Sequence, residues 1–176
     1  MPVHLESWKE VGSRYGFQYS QGDLERYAGM SGQEIVEIIN EKHGLSLDLD
    51  QIAQEKEAAF LKNLDQVKPI ETVVKVLEDY HGRLPIAAGT GGYRRVATKI
   101  LQNIGVWDRI DVLVASDDVV RHKPHPDTFL KCAESLGVAA EDCLVFEDAD
   151  LGFRAARAAG MRVVDVRPYY MDERKA

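Results

Sequence analysis

Leu84-Pro85-Ile86-Ala87-Ala88-Gly89-Thr90-Gly91-Gly92 is a short apolar run that ends in a hydroxyl and a glycine turn, and a helical pattern over 93–104 follows it. The same arrangement recurs downstream. Short apolar runs at 84–88, 111–115, 143–146 and 162–166 alternate with helical patterns near 93–104, 126–136 and 150–159, after one more helix around 70–80. Such alternation implies βαβ units and a parallel sheet. Gly105, Gly137 and Gly160 each follow a helical stretch, where glycine commonly closes the helix in a left-handed conformation.

Upstream of this core, residues 1 to about 66 read as helix after helix, with no convincing strand. Ser31-Gly32-Gln33-Glu34 has capping-box spacing ahead of Ile35, Ile38 and Ile39, which share one helical face. A second long helix carries Ile52, Ala59, Phe60 and Leu64. The pattern changes near Lys68-Pro69, so the chain divides into a helical module, 1–66, and an α/β core, 67–176.

Composition narrows the class. The 176 residues are 45% hydrophobic and 29% charged, as in an ordinary globular protein, and the net charge of -7 offers no broad attraction to nucleic acid or anionic membrane. No apolar segment approaches the roughly 18 residues of a membrane span, and Met1-Pro2-Val3-His4-Leu5-Glu6 lacks a signal peptide's basic start. Cys132 and Cys143 form no framework and no metal spacing, and both read as small packing residues. A cytoplasmic protein is expected, with no membrane or nucleic-acid partner and an oligomeric state left open.

Ligands of an open parallel sheet bind outside the carboxyl ends of its strands. Three polar clusters fall there: Thr90, the loop 116–123 with Lys123, and Glu147-Asp148. The Gly89-to-Gly92 turn presents backbone N–H groups to a phosphate, with the Thr90 hydroxyl beside them, or it is a tight turn that needs glycine. Lys123 either neutralises a phosphate or is a solvated loop lysine. The adjacent carboxylates Glu147 and Asp148 repel one another unless a cation or hydrogen bonds compensate, and their oxygens suit Mg²⁺; Asp148 or Asp150 could instead cap the next helix. His122 and His125 lack the further ligands that zinc needs and read as loop histidines.

The segments Ala88-Gly89-Thr90-Gly91, His122-Lys123-Pro124-His125-Pro126-Asp127 and Val145-Phe146-Glu147-Asp148-Ala149-Asp150-Leu151-Gly152 resemble the second, third and fourth motifs of the haloacid dehalogenase-like hydrolases. With Ala155 to Met161 they look most like the β-phosphoglucomutase-like branch and its fructose-1-phosphate phosphatase-like members, over nearly the whole chain. The resemblance implies a Rossmann-like core with an all-helical cap over 1–66. It further implies that Thr90 and the Gly91 amide bind phosphoryl oxygens, that Lys123 bridges phosphate and nucleophile, and that Asp148, helped by Glu147, anchors magnesium. His4 and Trp8 match a His and a Trp that begin the cap, so His4 faces the active site or is a surface histidine.

One departure concerns the first motif. The family opens with an apolar strand ending in Asp-x-Asp-Gly-Thr, whose first Asp attacks phosphorus and whose second is the general acid and base. This chain starts just after that point. Asp48-Leu49-Asp50 has the letters but precedes a helix and is read as a helix start, while Asp148-Ala149-Asp150 belongs to the fourth motif. The chain as given is therefore expected to be nearly inactive, with unpaired strands beside the lost one, and a start assigned too far downstream is the expected cause.

The resemblance thus implies a Mg²⁺-dependent phosphatase of small phosphorylated sugars, working through an aspartyl phosphate in the full-length protein. A phosphosugar mutase and a non-catalytic phosphate-ligand binding module are the alternatives. Ala28 and Gly32 stand where the mutase has a Lys and an Arg on the sugar phosphate, which favours the phosphatase.

Overall fold

The computed structural model describes residues 2–171. The first part is helical: α1 (Pro2–Tyr15), α2 (Gln21–Tyr27), α3 (Gly32–His43) and α4 (Leu49–Leu61). Their ends are set by local chemistry. The Glu34 amide donates to the Ser31 hydroxyl at 3.3 Å, and the Ser31 amide donates to the Glu34 carboxylate at 2.8 Å, completing the expected capping box. The Asp48 carboxylate accepts from the Gln51 amide at 2.8 Å and starts α4, so Asp48-Leu49-Asp50 is a helix start. Trp8, Val11, Phe17, Tyr19, Leu24, Ile35, Val36, Ile39 and Ile52 form one buried cluster between these helices. Each large apolar side chain so buried contributes roughly 1.5–3 kcal/mol.

The remainder is α/β: α5 (Glu71–Tyr80), β1 (Ala87–Gly89), α6 (Arg94–Asn103), β2 (Val112–Val114), α7 (Asp127–Leu136), β3 (Leu144–Glu147), α8 (Asp150–Ala158), β4 (Arg162–Asp165) and α9 (Pro168–Met171). Gly105, Gly137 and Gly160 close or follow α6, α7 and α8 with φ of 73°, 68° and 76°, a region that side-chain-bearing residues rarely enter. Helix α6 ties the two parts together. Val3, Phe60 and Val96 are buried against one another, and the Asn103 amide donates to the Leu64 carbonyl at 3.0 Å.

The sheet is divided. β1 pairs in parallel with β2, Ala87 opposite Val112 and Gly89 opposite Val114; β3 pairs in parallel with β4, Leu144 opposite Arg162 and Glu147 opposite Asp165. Among the described residues no ladder joins the two pairs. Both rest on α7: a Cβ placed on Gly89 would stand 3.1 Å from Thr128, 3.2 Å from Cys132 and 3.7 Å from Phe129, and Phe129 also packs with Ala155, Ala156 and Val145. The outer edges of each two-stranded pair thus carry no ladder partner among the described residues. Apolar side chains near them stay open: Leu84 is 55%, Leu144 47% and Phe146 37% exposed, and α5 has no buried residue.

Candidate active site

The loop after β1 is braced from three sides. The Thr90 amide donates to the Val114 carbonyl at 2.9 Å, the Gly92 amide donates to the Thr90 hydroxyl at 3.1 Å, and the Gly92 carbonyl accepts from the Ser116 amide at 3.0 Å. The first amide of α6, that of Arg94, donates to the Asp117 carboxylate at 3.3 Å. The broad row of exposed N–H groups expected at this helix start is therefore mostly engaged. What the loop retains for a ligand is the Thr90 hydroxyl hydrogen and the Gly91 amide, which has no hydrogen-bond partner among the described residues.

Gly91 also meets the helical part. A Cβ there would lie 2.4 Å from the Gly29 carbonyl oxygen, so only glycine fits. Gly29 has φ of +99° and would place its own Cβ 3.3 Å from the Lys123 side chain. The Ala28-Gly29-Met30 turn between α2 and α3 therefore sits over both the β1 loop and Lys123.

Lys123 is a buried lysine, only 5% exposed, and the solvated-loop reading does not hold. Its Nζ lies 2.7 Å from Glu147 Oε2 and 4.6 Å from the centre of the Phe129 ring. Glu147 is 8% exposed, and its other oxygen accepts from the Asp148 amide at 2.9 Å and the Ala149 amide at 3.0 Å. Burial raises the Glu147 carboxyl's affinity for a proton, but the Lys123 charge and hydrogen bond and the two amides outweigh it, and the net direction is downward. Both oxygens are thereby committed, so Glu147 holds the lysine in place. Gly152 makes room for it: a Cβ there would stand 2.0 Å from Glu147 Oε2. Asp148 beside it is the half-exposed carboxylate of the pair.

Magnesium is characteristically held by one or two carboxylates, with water and substrate phosphate completing its shell. Asp148 fits that habit, whereas Glu147 does not, its oxygens being spent on Lys123 and two amides. No group of three or more His, Cys, Asp or Glu side chains suited to a metal occurs among the described residues. His122 and His125 lie in one loop, the His125 amide donating to the His122 carbonyl at 2.9 Å.

On the helical side, His4 is not a surface histidine. Its ring stacks on Phe60 with centres 4.4 Å apart, and Nδ1 lies 2.8 Å from Lys56 Nζ. Burial, then the Lys56 charge, holds His4 well below its ordinary pKa. Burial pushes Lys56 down to about 8, only partly offset by Glu57. Lys56 was not singled out from sequence, yet a signal existed: Ile52, Lys56 and Phe60 are four apart and share one apolar stripe of α4. Glu57 is buried too and receives Arg95 of α6 at 3.4 Å across the junction. Cys132 is buried, with its thiol pushed up to about 11 by burial, as a packing residue should be; Cys143 is half-buried.

A family model described as haloacid dehalogenase-like hydrolase matches residues 2–166. The chain belongs to that family. The fructose-1-phosphate phosphatase YqaB of Escherichia coli (strain K12) is 44% identical over 170 residues, covering 94% of this chain and 88% of that protein. The β-phosphoglucomutase of Bacillus subtilis (strain 168) is 30% identical over 171 residues, 93% of this chain and 75% of that one. A hydrolase from Pseudomonas syringae superposes with a TM-score of 0.82 at 26% identity, covering 93% of this chain and 76% of its own. The α/β architecture with a helical module is thus that of the haloacid dehalogenase-like hydrolases. No helix among the described residues is long and apolar enough to cross a membrane.

Proposed function

We propose that this chain carries the phosphate- and magnesium-holding apparatus of a phosphatase for small sugar phosphates. The observation that carries this reading is the buried Lys123, held by Glu147, with the Gly29 turn packed against both it and Gly91. Glu147 takes one of the three N–H donors of the Lys123 ammonium, so the lysine has donors left for a phosphate. Thr90 and the Gly91 amide donate to phosphoryl oxygens, and Lys123 neutralises their charge. Asp148 would hold magnesium, which when bound supplies further charge neutralisation on the phosphate. The 44% identity to a fructose-1-phosphate phosphatase supports the substrate class.

Residues 1–66 serve as the cap. The Gly29 turn closes over the phosphate loop and keeps bulk water out, and the His4–Lys56 pair presents polar groups on the cap side. Gly32 weighs against the mutase alternative, because a Cβ there would already lie 2.9 Å from the Ala53 Cβ. A sugar-phosphate-gripping side chain has no room at that position.

Hydrolysis through an aspartyl phosphate needs an attacking aspartate, and of the two carboxylates at the end of β3 Glu147 is committed to Lys123 while Asp148 serves the metal in this reading. The 176-residue chain therefore binds sugar phosphate in the presence of magnesium but turns it over no faster than background. Calorimetry with fructose 1-phosphate and a phosphate-release assay on the same sample test both halves. Absence of binding overturns the substrate reading, and phosphate release above that of the enzyme-free control overturns the inactivity. Isomerisation of the sugar phosphate without phosphate release would establish the mutase instead.

A further inference from the structure

Helix α8 and strand β4 border a groove of about 430 Å³ lined by Phe153, Arg154, Arg157, Val163 and Arg167, a size within the range of small-molecule sites. Three arginines thus meet in a chain whose net charge is -7. Arg167 is already employed: its guanidinium bonds the two oxygens of Asp165 at 3.0 and 2.7 Å, reaches Asp150 at 2.9 Å and lies 4.8 Å from the centre of the Phe153 ring. It forms a fixed wall of the groove. Arg154 and Arg157 differ, because both are exposed and neither has an ion-pair partner among the described residues. Residues three apart on a helix are neighbours, and like charges placed so repel until an anion joins them.

We propose that this groove is a second ligand site, separate from the Lys123 centre, for a phosphate monoester of a hydroxylated compound. The planar forks of Arg154 and Arg157 match phosphate oxygens and donate charge-assisted hydrogen bonds to them. Asp150 selects the rest of the ligand. One of its oxygens is taken by Arg167, and its side chain is 79% exposed, so the other oxygen accepts from ligand hydroxyls. A second phosphate at that end would be repelled by the carboxylate, which favours one phosphate and neutral hydroxyls over a bisphosphate. The half-buried Val163 and the Arg167 guanidinium, stacked on Phe153, give the carbon skeleton a partly apolar floor. Thr90, Gly91 and Lys123 line no part of the groove, so it does not depend on the proposed phosphatase site.

The test is calorimetry of ribose 5-phosphate with the 176-residue chain in the absence of magnesium. One binding event should be present in the native chain, persist in Thr90→Val, and weaken at least about tenfold in Arg154→Ala/Arg157→Ala, where two charged donors are lost. Arg154→Lys/Arg157→Lys keeps the charge but not the fork and should fall between the two; it carries the same test if the alanine pair does not fold. Inorganic phosphate should bind the native chain at least about threefold more weakly, because it cannot reach the arginines and Asp150 together. Binding that is lost in Thr90→Val but kept in the arginine variants places the ligand at the Lys123 centre and overturns the proposal. No binding at all, or inorganic phosphate binding as tightly as the ester, overturns it too. Because the deciding event must survive Thr90→Val, failure of the phosphatase reading leaves this outcome untouched.

Discussion

At the scale of single residues, the buried Lys123–Glu147 pair dominates the site, and its two members are unequally supported. Glu147 keeps two amide donors when the lysine is lost, whereas Lys123 without Glu147 keeps only the Phe129 ring. Removing one partner of a buried pair costs about 3–5 kcal/mol. Lys123→Met should therefore fall at the low end of that range in urea unfolding and Glu147→Gln at the high end, with the double variant losing less than the sum. Strictly additive losses would show that the two do not act as a unit. The pair also sets an acid limit. Glu147 is held below its ordinary value of 4.5, so its contribution is present above that pH and lost as pH falls through the lower folded value. Unfolding free energy measured from pH 6 to pH 3 should drop more steeply in the native chain than in Glu147→Gln. Lys56 behaves oppositely: its folded value of about 8 lies under the ordinary 10.5, so the unfolded chain binds more protons between those limits and stability gained from this residue rises with pH there. Lys56→Met should abolish that rise; a difference between the two proteins that stays flat from pH 7.5 to 10.5 would contradict the burial of the charge.

At the scale of elements, glycines show where helices are pressed against their neighbours. Gly32 opens α3 with its Cα against Ala53 of α4, and an added Cβ would stand 2.9 Å from the Ala53 Cβ. Gly22 lies in α2 with nothing closer than 3.7 Å to an added Cβ and no positive φ. Gly22→Ala should stabilise by about 0.4–1 kcal/mol through loss of unfolded-state freedom, while Gly32→Ala should cost about 1–3 kcal/mol by overpacking. Thermal melts of the two variants should thus move in opposite directions, and a shared direction would refute the packing argument. Much at this scale was legible from sequence because it depends on local signals. The capping box at Ser31, the helix start at Asp48 and the glycine-closed helices of the α/β part follow from neighbours within a few positions. Thr90, Lys123 and Glu147-Asp148 were legible for a second reason, their common place at strand ends. Contacts between distant segments were not. That Glu147 spends both oxygens on Lys123 and amides, that Gly152 exists to admit it, and that the Gly29 turn sits on Gly91 depend on which elements touch, and no spacing in the chain encodes them.

At the scale of the whole molecule, the two parts are unequally finished. The helical part closes around nine buried side chains from Trp8 to Ile52, whereas the α/β part leaves Leu84, Leu144 and Phe146 open, and its α5 helix buries no residue. Local opening is easiest where apolar contacts are few and backbone hydrogen bonds face water. Amides in α1, α3 and α4 should accordingly exchange with solvent most slowly, and those of α5 and of the open edges of β1 and β3 about a hundredfold faster. The ordering follows from burial alone, since β1 and β2 form a complete ladder on one side and differ from a closed sheet only at the other. Two-state exchange with uniform protection across both parts would mean that the junction through Val3, Phe60 and Val96 couples them fully and that the open edges cost nothing.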